Sequence, residues 1–350
     1  MKSFLSTLAR TAVIAGSCVT AIAPASAADI AGAGATFPYP VYAKWADAYK
    51  KETNVGMNYQ SIGSGAGIKQ IIARTVTFGA TDAPLKGADL DKEGLIQFPM
   101  VMGGVVPVIN VDGIKPGEVV IDGDTLAKIY LGTIKSWDDP ILKKLNPDLK
   151  LPAQAIAPVY RSDGSGTTFL YTDYLSKVNA DFKTKIGSAT TVQWLVGLGG
   201  KGNEGVAATV SQTKGGIGYV EFAYAKVNKM NYARMVNKAG KSVAPELAAF
   251  QAAAANADWS SVPGFGVVLT EQAGDASWPM TGATFILIHK QPKDAASATA
   301  ALKFFEWAYT KGDKMASDLD YVPMPDKVVA LVQASWAQVV GADGKPLFAK

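Results

Sequence analysis

The chain has 350 residues, with 34 Lys+Arg against 30 Asp+Glu, a formal charge of only +4, 48% hydrophobic and 18% charged residues. Near neutrality without a long basic block excludes the cationic footprint of a nucleic-acid binder. The apolar content excludes a disordered chain, and the length allows one large or two medium domains with real cores.

Residues 1–27 read as an export leader. Lys2 and Arg10 give a cationic start, residues 11–24 an apolar run, and Ala25-Ser26-Ala27 a small-x-small cleavage pattern. The run, about 14 residues, falls short of the ~20 that span a bilayer. Cleavage before Ala28 would leave a charge of about +2. Cys18, the only cysteine, sits in Ala15-Gly16-Ser17-Cys18, a degraded lipoprotein box and a competing processing site. With the leader gone, disulfides, thiol catalysis and thiolate metal sites are excluded together. No later apolar run is long enough to anchor the product, so it is expected in the periplasm or outside the cell, released from the membrane.

Beyond the leader, short apolar strands alternate with helical patterns, the mark of an α/β fold with mostly parallel strands. Val41, Trp45 and Tyr49 predict a helix after Pro38 and Pro40, followed by a strand through Val55, Met57 and Tyr59 and a helix over 67–76. A strand is expected over 155–161 and a helix over 165–178, with Leu170, Tyr174 and Val178 on one face. Residues 191–196 look strand-like. Further helices are expected over 245–257, 295–310 and 327–340. Residues 97–111 and 282–290 are apolar, β-branched and flanked by Gly and Pro, which suggests two crossings between domains. The division expected is 28–104 plus 281–350 as one lobe and 105–280 as the other, with a cleft between them.

Enzyme motifs fail. His289, the sole histidine, ends the apolar run 285–288 and suits a structural role. It leaves no Ser-His-Asp set and no histidine-rich metal site. Gly197-Leu-Gly199-Gly-Lys-Gly202 matches G-x-G-x-x-G, but a lone match in a glycine-rich chain reads better as a turn into a helix. No phosphate loop of the G-x-x-x-x-G-K-[ST] type is present.

Four segments do share one design, an extended stretch ending in small polar residues. They are Gly34-Ala-Thr36-Phe37-Pro38, Gly63-Ser64-Gly65-Ala-Gly67, Gly79-Ala-Thr81-Asp82-Ala83-Pro84 and Arg161-Ser-Asp163-Gly164-Ser165-Gly166-Thr167. Glycines admit close backbone approach, helix starts present unpaired amides, and hydroxyls add donors. An anion could be held mainly by neutral donors, with Arg161 as its one full countercharge. Taken singly, Ser64, Ser165 and Thr167 could cap helices, Arg161 and Asp163 could form a surface ion pair, and Asp82 could be a turn residue.

These segments, with Tyr59-Gln-Ser-Ile-Gly, Phe78-Gly, Gly218-Tyr-Val-Glu221 and Thr284-Phe-Ile-Leu-Ile-His-Lys290, resemble the periplasmic phosphate-binding proteins of high-affinity phosphate ABC transporters. The resemblance runs in order along essentially the whole exported chain. It implies a type II periplasmic-binding fold, two α/β lobes closing on one inorganic phosphate, an inner-membrane permease as partner, a monomer, and no cofactor, metal or catalysis. By the same resemblance Thr36 and Phe37 would donate through backbone amides, with the Thr36 hydroxyl. Ser64 would donate from the second loop, and Asp82 would face the ligand. Arg161 would pair with phosphate, held by Asp163, while Ser165, Gly166 and Thr167 would form a helix-start donor set. Tyr160 departs from relatives that carry a second basic residue there, and Thr81 stands where serine fits equally. The competing readings are a binding protein for sulfate or molybdate on the same fold, and a secreted phosphate-ester hydrolase using Ser64 or Ser165.

Overall fold

The computed structural model describes residues 30–348; the leader, the Ala27 cleavage position and Cys18 lie outside the described residues. The described chain opens with β1 (Ile30–Gly34), α1 (Tyr39–Thr53), β2 (Met57–Ser61), α2 (Ser64–Ile72), β3 (Phe78–Thr81) and α3 (Gly87–Glu93). Strand β1 lies between β2 and β3 and runs parallel to both, because each helix returns the chain to the same end of the sheet. Helix α1 carries Pro40 in its first turn and turns Val41, Trp45 and Tyr49 inward, the face its spacing predicts. Helix α2 begins at Ser64, earlier than Gly67, and ends at Ile72 before Val76, where Arg74 takes a left-handed φ of 58°.

Next comes β4 (Leu95–Asn110), 16 residues long and buried almost throughout, as a strand covered on both faces should be. The following segment holds β5 (Val120–Ile121), α4 (Gly123–Tyr130), α5 (Pro140–Leu145), β6 (Ala157–Arg161), α6 (Gly166–Val178) and α7 (Ala180–Lys185). It continues with β7 (Leu198–Gly200), α8 (Gly202–Gln212), β8 (Gly216–Glu221), α9 (Phe222–Val227), β9 (Asn231–Tyr232), β10 (Arg234–Val236), β11 (Ser242–Val243) and α10 (Leu247–Ala254). The chain closes with β12 (Thr281–His289), α11 (Ala295–Lys311), α12 (Asp313–Ser317), β13 (Val322–Pro323) and α13 (Asp326–Ser335).

The main sheet runs in the order β2-β1-β3-β12-β4-β8-β6-β7, while β5, β10 and β11 form a small separate sheet. Strand β4 changes partner midway: Gly104 pairs with Thr281 of β12, and Val105 pairs with Glu221 of β8. Alternation along β12 divides the packing. Leu287 joins Ile71, Leu90 and Leu95 on one face, whereas Ile286 and Ile288 enter the main core on the other. Around β8, Tyr219 stacks on Tyr171 with ring centroids 4.0 Å apart, and Tyr130 packs edge-on to Tyr171.

Residues 191–196 are not a strand. Trp194 stacks on Tyr160 and tilts against Tyr130, so the apolar content of this segment roofs an aromatic cluster instead of joining a ladder. The strand lies just beyond, at β7. Helix α10 is shorter than 245–257, and α13 gives way to a 3-10 turn over Trp336–Gln338.

Candidate functional site

Strands β1, β2, β3 and β6 each end in one of the four polar segments, and three of those segments lead directly into a helix. Thr36 and Phe37 precede α1, Ser64 opens α2, and Ser165 caps α6 by accepting from the Thr168 amide at 3.0 Å. The first amides of each helix have no carbonyl one turn back, so these starts carry donors and partial positive charge. All eight residues expected to hold an anion are buried: Thr36, Phe37, Ser64, Asp82, Arg161, Ser165, Gly166 and Thr167.

They also touch across the two ends of the sheet. Ser64 Oγ accepts from the amides of Asp82 (3.2 Å) and Gly166 (3.1 Å) and lies 3.4 Å from Asp82 Oδ2. The Gly65 amide donates to Gly164 O at 2.9 Å. Gly166 has no room for a side chain, since a Cβ there would lie 2.5 Å from Asp82 Oδ2 and 2.6 Å from Ser64 Oγ.

Arg161 ends β6 with a side chain only 1% exposed. Its Nε donates to Asp163 Oδ1 at 2.8 Å, its Nη2 to Asp163 Oδ2 at 2.6 Å, and its Nη1 to Thr167 Oγ1 at 3.3 Å. This bidentate fork fixes the guanidinium plane. Burial pushes the Asp163 carboxyl up, but the bonds and charge of Arg161 and the Gly202 amide outweigh it and hold Asp163 below its ordinary range.

Asp82 behaves in the opposite way. Burial raises it to about 7, against the pull of Thr284, Arg161 and Ser64. Its Oδ1 is buried without a hydrogen bond, and Thr284 Oγ1, close enough to favour the charged form, stays outside bonding geometry. The site thus combines neutral donors, one arginine whose charge Asp163 largely balances, and one carboxyl with acceptor capacity to spare.

Several supporting residues were not singled out as site residues by the sequence pattern. Asn203, in the first turn of α8, bonds Thr36 and Thr167 together. Tyr224 donates to Thr36 O at 2.7 Å, which fixes the plane of the peptide carrying the Phe37 amide. Tyr219 OH bonds the Thr168 hydroxyl at 2.7 Å and accepts from the Arg161 amide at 3.2 Å. Tyr321 OH lies 2.6 Å from Phe37 O and 2.7 Å from Glu221 Oε2. Burial raises Glu221 well above the carboxylate range, only partly offset by Tyr321 and the Ala223 amide. Protonated Glu221 can donate to Tyr321, which frees the tyrosine hydrogen for Phe37 O. The signal for Asn203 was the glycine-rich match at 197–202, which feeds this helix start. His289 is buried, and its Nε2 lies 2.7 Å from Ile71 O.

Residues 19–311 match the PBP superfamily domain. The phosphate-binding protein PstS of Pasteurella multocida is 52% identical over 91% of this chain and 93% of its own length. That of Methanocaldococcus jannaschii is 34% identical over 85% of this chain and 83% of its own. The chain belongs to the PstS family of the PBP superfamily. Among solved structures, a high-affinity periplasmic phosphate-binding protein, PfluDING, bound with phosphate, superimposes with a TM-score of 0.71. It is 22% identical, over 88% of this chain and 94% of that one. The fold is therefore the type II periplasmic-binding fold, with two α/β lobes joined by crossover strands. Among the described residues no helix is long and apolar enough to cross a membrane, and no cluster of His, Cys, Asp and Glu could hold a metal ion.

Proposed function

We propose that this chain binds inorganic phosphate between its lobes, excludes sulfate through Asp82, and presents the ligand to an inner-membrane ABC permease. The family supports the ligand and the partner. The observation that carries the selectivity is Asp82 Oδ1, a buried acceptor without a bond among convergent donors. Both common forms of phosphate near neutrality carry a proton that an ionised Asp82 can accept, whereas sulfate offers only lone pairs. Like charges in a water-poor site then repel, and sulfate is rejected. Thr36, Phe37, Ser64, Ser165, Gly166 and Thr167 supply donors, and Arg161 supplies the countercharge.

The lobes divide at 28–104 plus 281–350 and at 105–280. The partner change of β4 between Gly104 and Val105, and the start of β12 at Thr281, support this division. Release into the periplasm follows cleavage of the leader before Ala28. Ser64 Oγ is engaged by the Asp82 and Gly166 amides and Ser165 Oγ by the Thr168 amide, which fits anchoring and capping roles. The chain is therefore read as a binder, and nitrophenyl phosphate should show no turnover.

Ligand-stripped protein titrated calorimetrically at pH 8 should bind phosphate one-to-one and give no heat with sulfate. Asp82→Asn, whose amide can donate, should admit sulfate. Because Asp82 gains its own proton below about pH 7, discrimination should also relax in wild type at pH 5.5. Sulfate rejection that survives both changes would remove Asp82 from the mechanism.

A further inference from the structure

Asn203 is completely buried, and each of its polar groups has a defined partner. Its backbone amide and its Nδ2 both donate to Thr36 Oγ1, at 3.2 and 2.6 Å. The Nδ2 also lies 3.2 Å from Thr167 Oγ1. Its Oδ1 accepts from the Glu221 amide at 2.9 Å. That last bond fixes the orientation of the side chain, because a backbone N–H can only donate and so must face oxygen.

A threonine hydroxyl has one hydrogen and two lone pairs. At Thr36 both lone pairs are taken by Asn203. At Thr167 one is taken by Asn203 and the other by Arg161 Nη1 at 3.3 Å. Neither hydroxyl can accept another bond, so each must point its hydrogen at some other acceptor. We infer that Asn203 is a positioning residue that makes the Thr36 and Thr167 hydroxyls obligate donors toward the bound anion. It also joins residues on either side of the cleft, since Thr36 precedes α1 while Thr167, Asn203 and Glu221 follow β4 in the chain. The inference rests on the phosphate-binding reading above and adds a residue that never touches the ligand.

Adventitious loss of packing and loss of hydroxyl orientation are separable by a double-mutant cycle. Asn203→Leu keeps similar bulk and removes the Nδ2 donor and the Oδ1 acceptor while leaving the backbone amide on Thr36 Oγ1; Thr36→Val removes the hydroxyl at constant shape. Phosphate affinity is measured by calorimetry on wild type, both single variants and the double variant, with circular dichroism on each. Asn203→Leu should weaken phosphate binding by roughly 30-fold or more in wild type but by only about threefold in the Thr36→Val background. Equal losses in the two backgrounds would reduce Asn203 to a packing role and overturn the inference. If Asn203→Leu does not fold, Asn203→Asp, which offers at most one donor hydrogen, runs through the same cycle with the same criterion. The series also separates the two levels of reading. Wild type without phosphate affinity overturns the function and this inference together. A Thr36→Val variant with unchanged affinity overturns the inference while leaving the function intact.

Discussion

Arg161 directs most of its guanidinium inward: two bonds go to Asp163 and one to Thr167, so only part of the fork remains for an anion. Removing it leaves Asp163 as a partly buried carboxylate without its partner and the site without a countercharge. Arg161→Ala should therefore cost phosphate binding about 2–5 kcal/mol. Arg161→Lys should recover little, because a single ammonium cannot reproduce the planar two-bond contact with Asp163. Calorimetric titration of both variants checks this, and wild-type affinity in either would move the anion away from Arg161. The four loops were legible in the sequence because their chemistry is local: glycine, hydroxyls and a charge at the end of a strand. Asn203, Tyr224 and Tyr321 were not, because their meaning lies in bonds to Thr36 and Phe37 from 167, 188 and 284 positions away.

At the level of elements, two helix-start glycines look alike in sequence and differ in what they face. Gly67 of α2 lies against its own strand layer, where a Cβ would come within 2.4 Å of Gly34 Cα and 2.7 Å of Ala33 O. Gly166 of α6 instead meets Asp82 and Ser64 from across the site. Gly67→Ala should lower thermal stability, by roughly 1–3 kcal/mol as for an overpacked core. Gly166→Ala should leave the melting temperature near wild type and abolish tight phosphate binding, because its clash arises only when the two sides meet. Thermal unfolding and titration of the pair decide the matter, and a comparable drop in melting temperature for both would contradict it. The same distinction between local and assembled features explains the misread segment at 191–196. Its apolar residues fit a strand by composition, yet Trp194 is occupied by the rings of Tyr130 and Tyr160, which no local pattern announces.

For the whole molecule, the arrangement described buries Asp82 and lifts its carboxyl from an ordinary 3.8 to about 7. The closed arrangement thus holds a proton more tightly than one in which water reaches Asp82. Closure is favoured as pH falls below about 7, fully so near the ordinary value, and loses that support as pH rises through 7. Ligand-free protein should accordingly show a larger radius of gyration by X-ray scattering at pH 8 than at pH 5.5, and Asp82→Asn should erase the difference. An unchanged radius in wild type would place the lobes under other control. The α/β class and the two apolar strands β4 and β12 were readable from apolar runs bounded by Gly and Pro. The expectation of mostly parallel strands fails, because β12 runs antiparallel to β3 and β4, and β4 antiparallel to β8. The order of strands was not, since the sheet is completed by β12, which returns from far along the chain to lie between β3 and β4.

Strand β4 keeps ladder partners on both sides of the Gly103-Gly104 pair, with β12 before it and β8 after it. A junction of this kind offers no slack length of chain, whatever the angle between the halves. Proteases need a segment they can draw out of the structure, and they usually find it in exposed loop tips. A carrier of this architecture would therefore offer a protease no segment to draw out at the β4 junction.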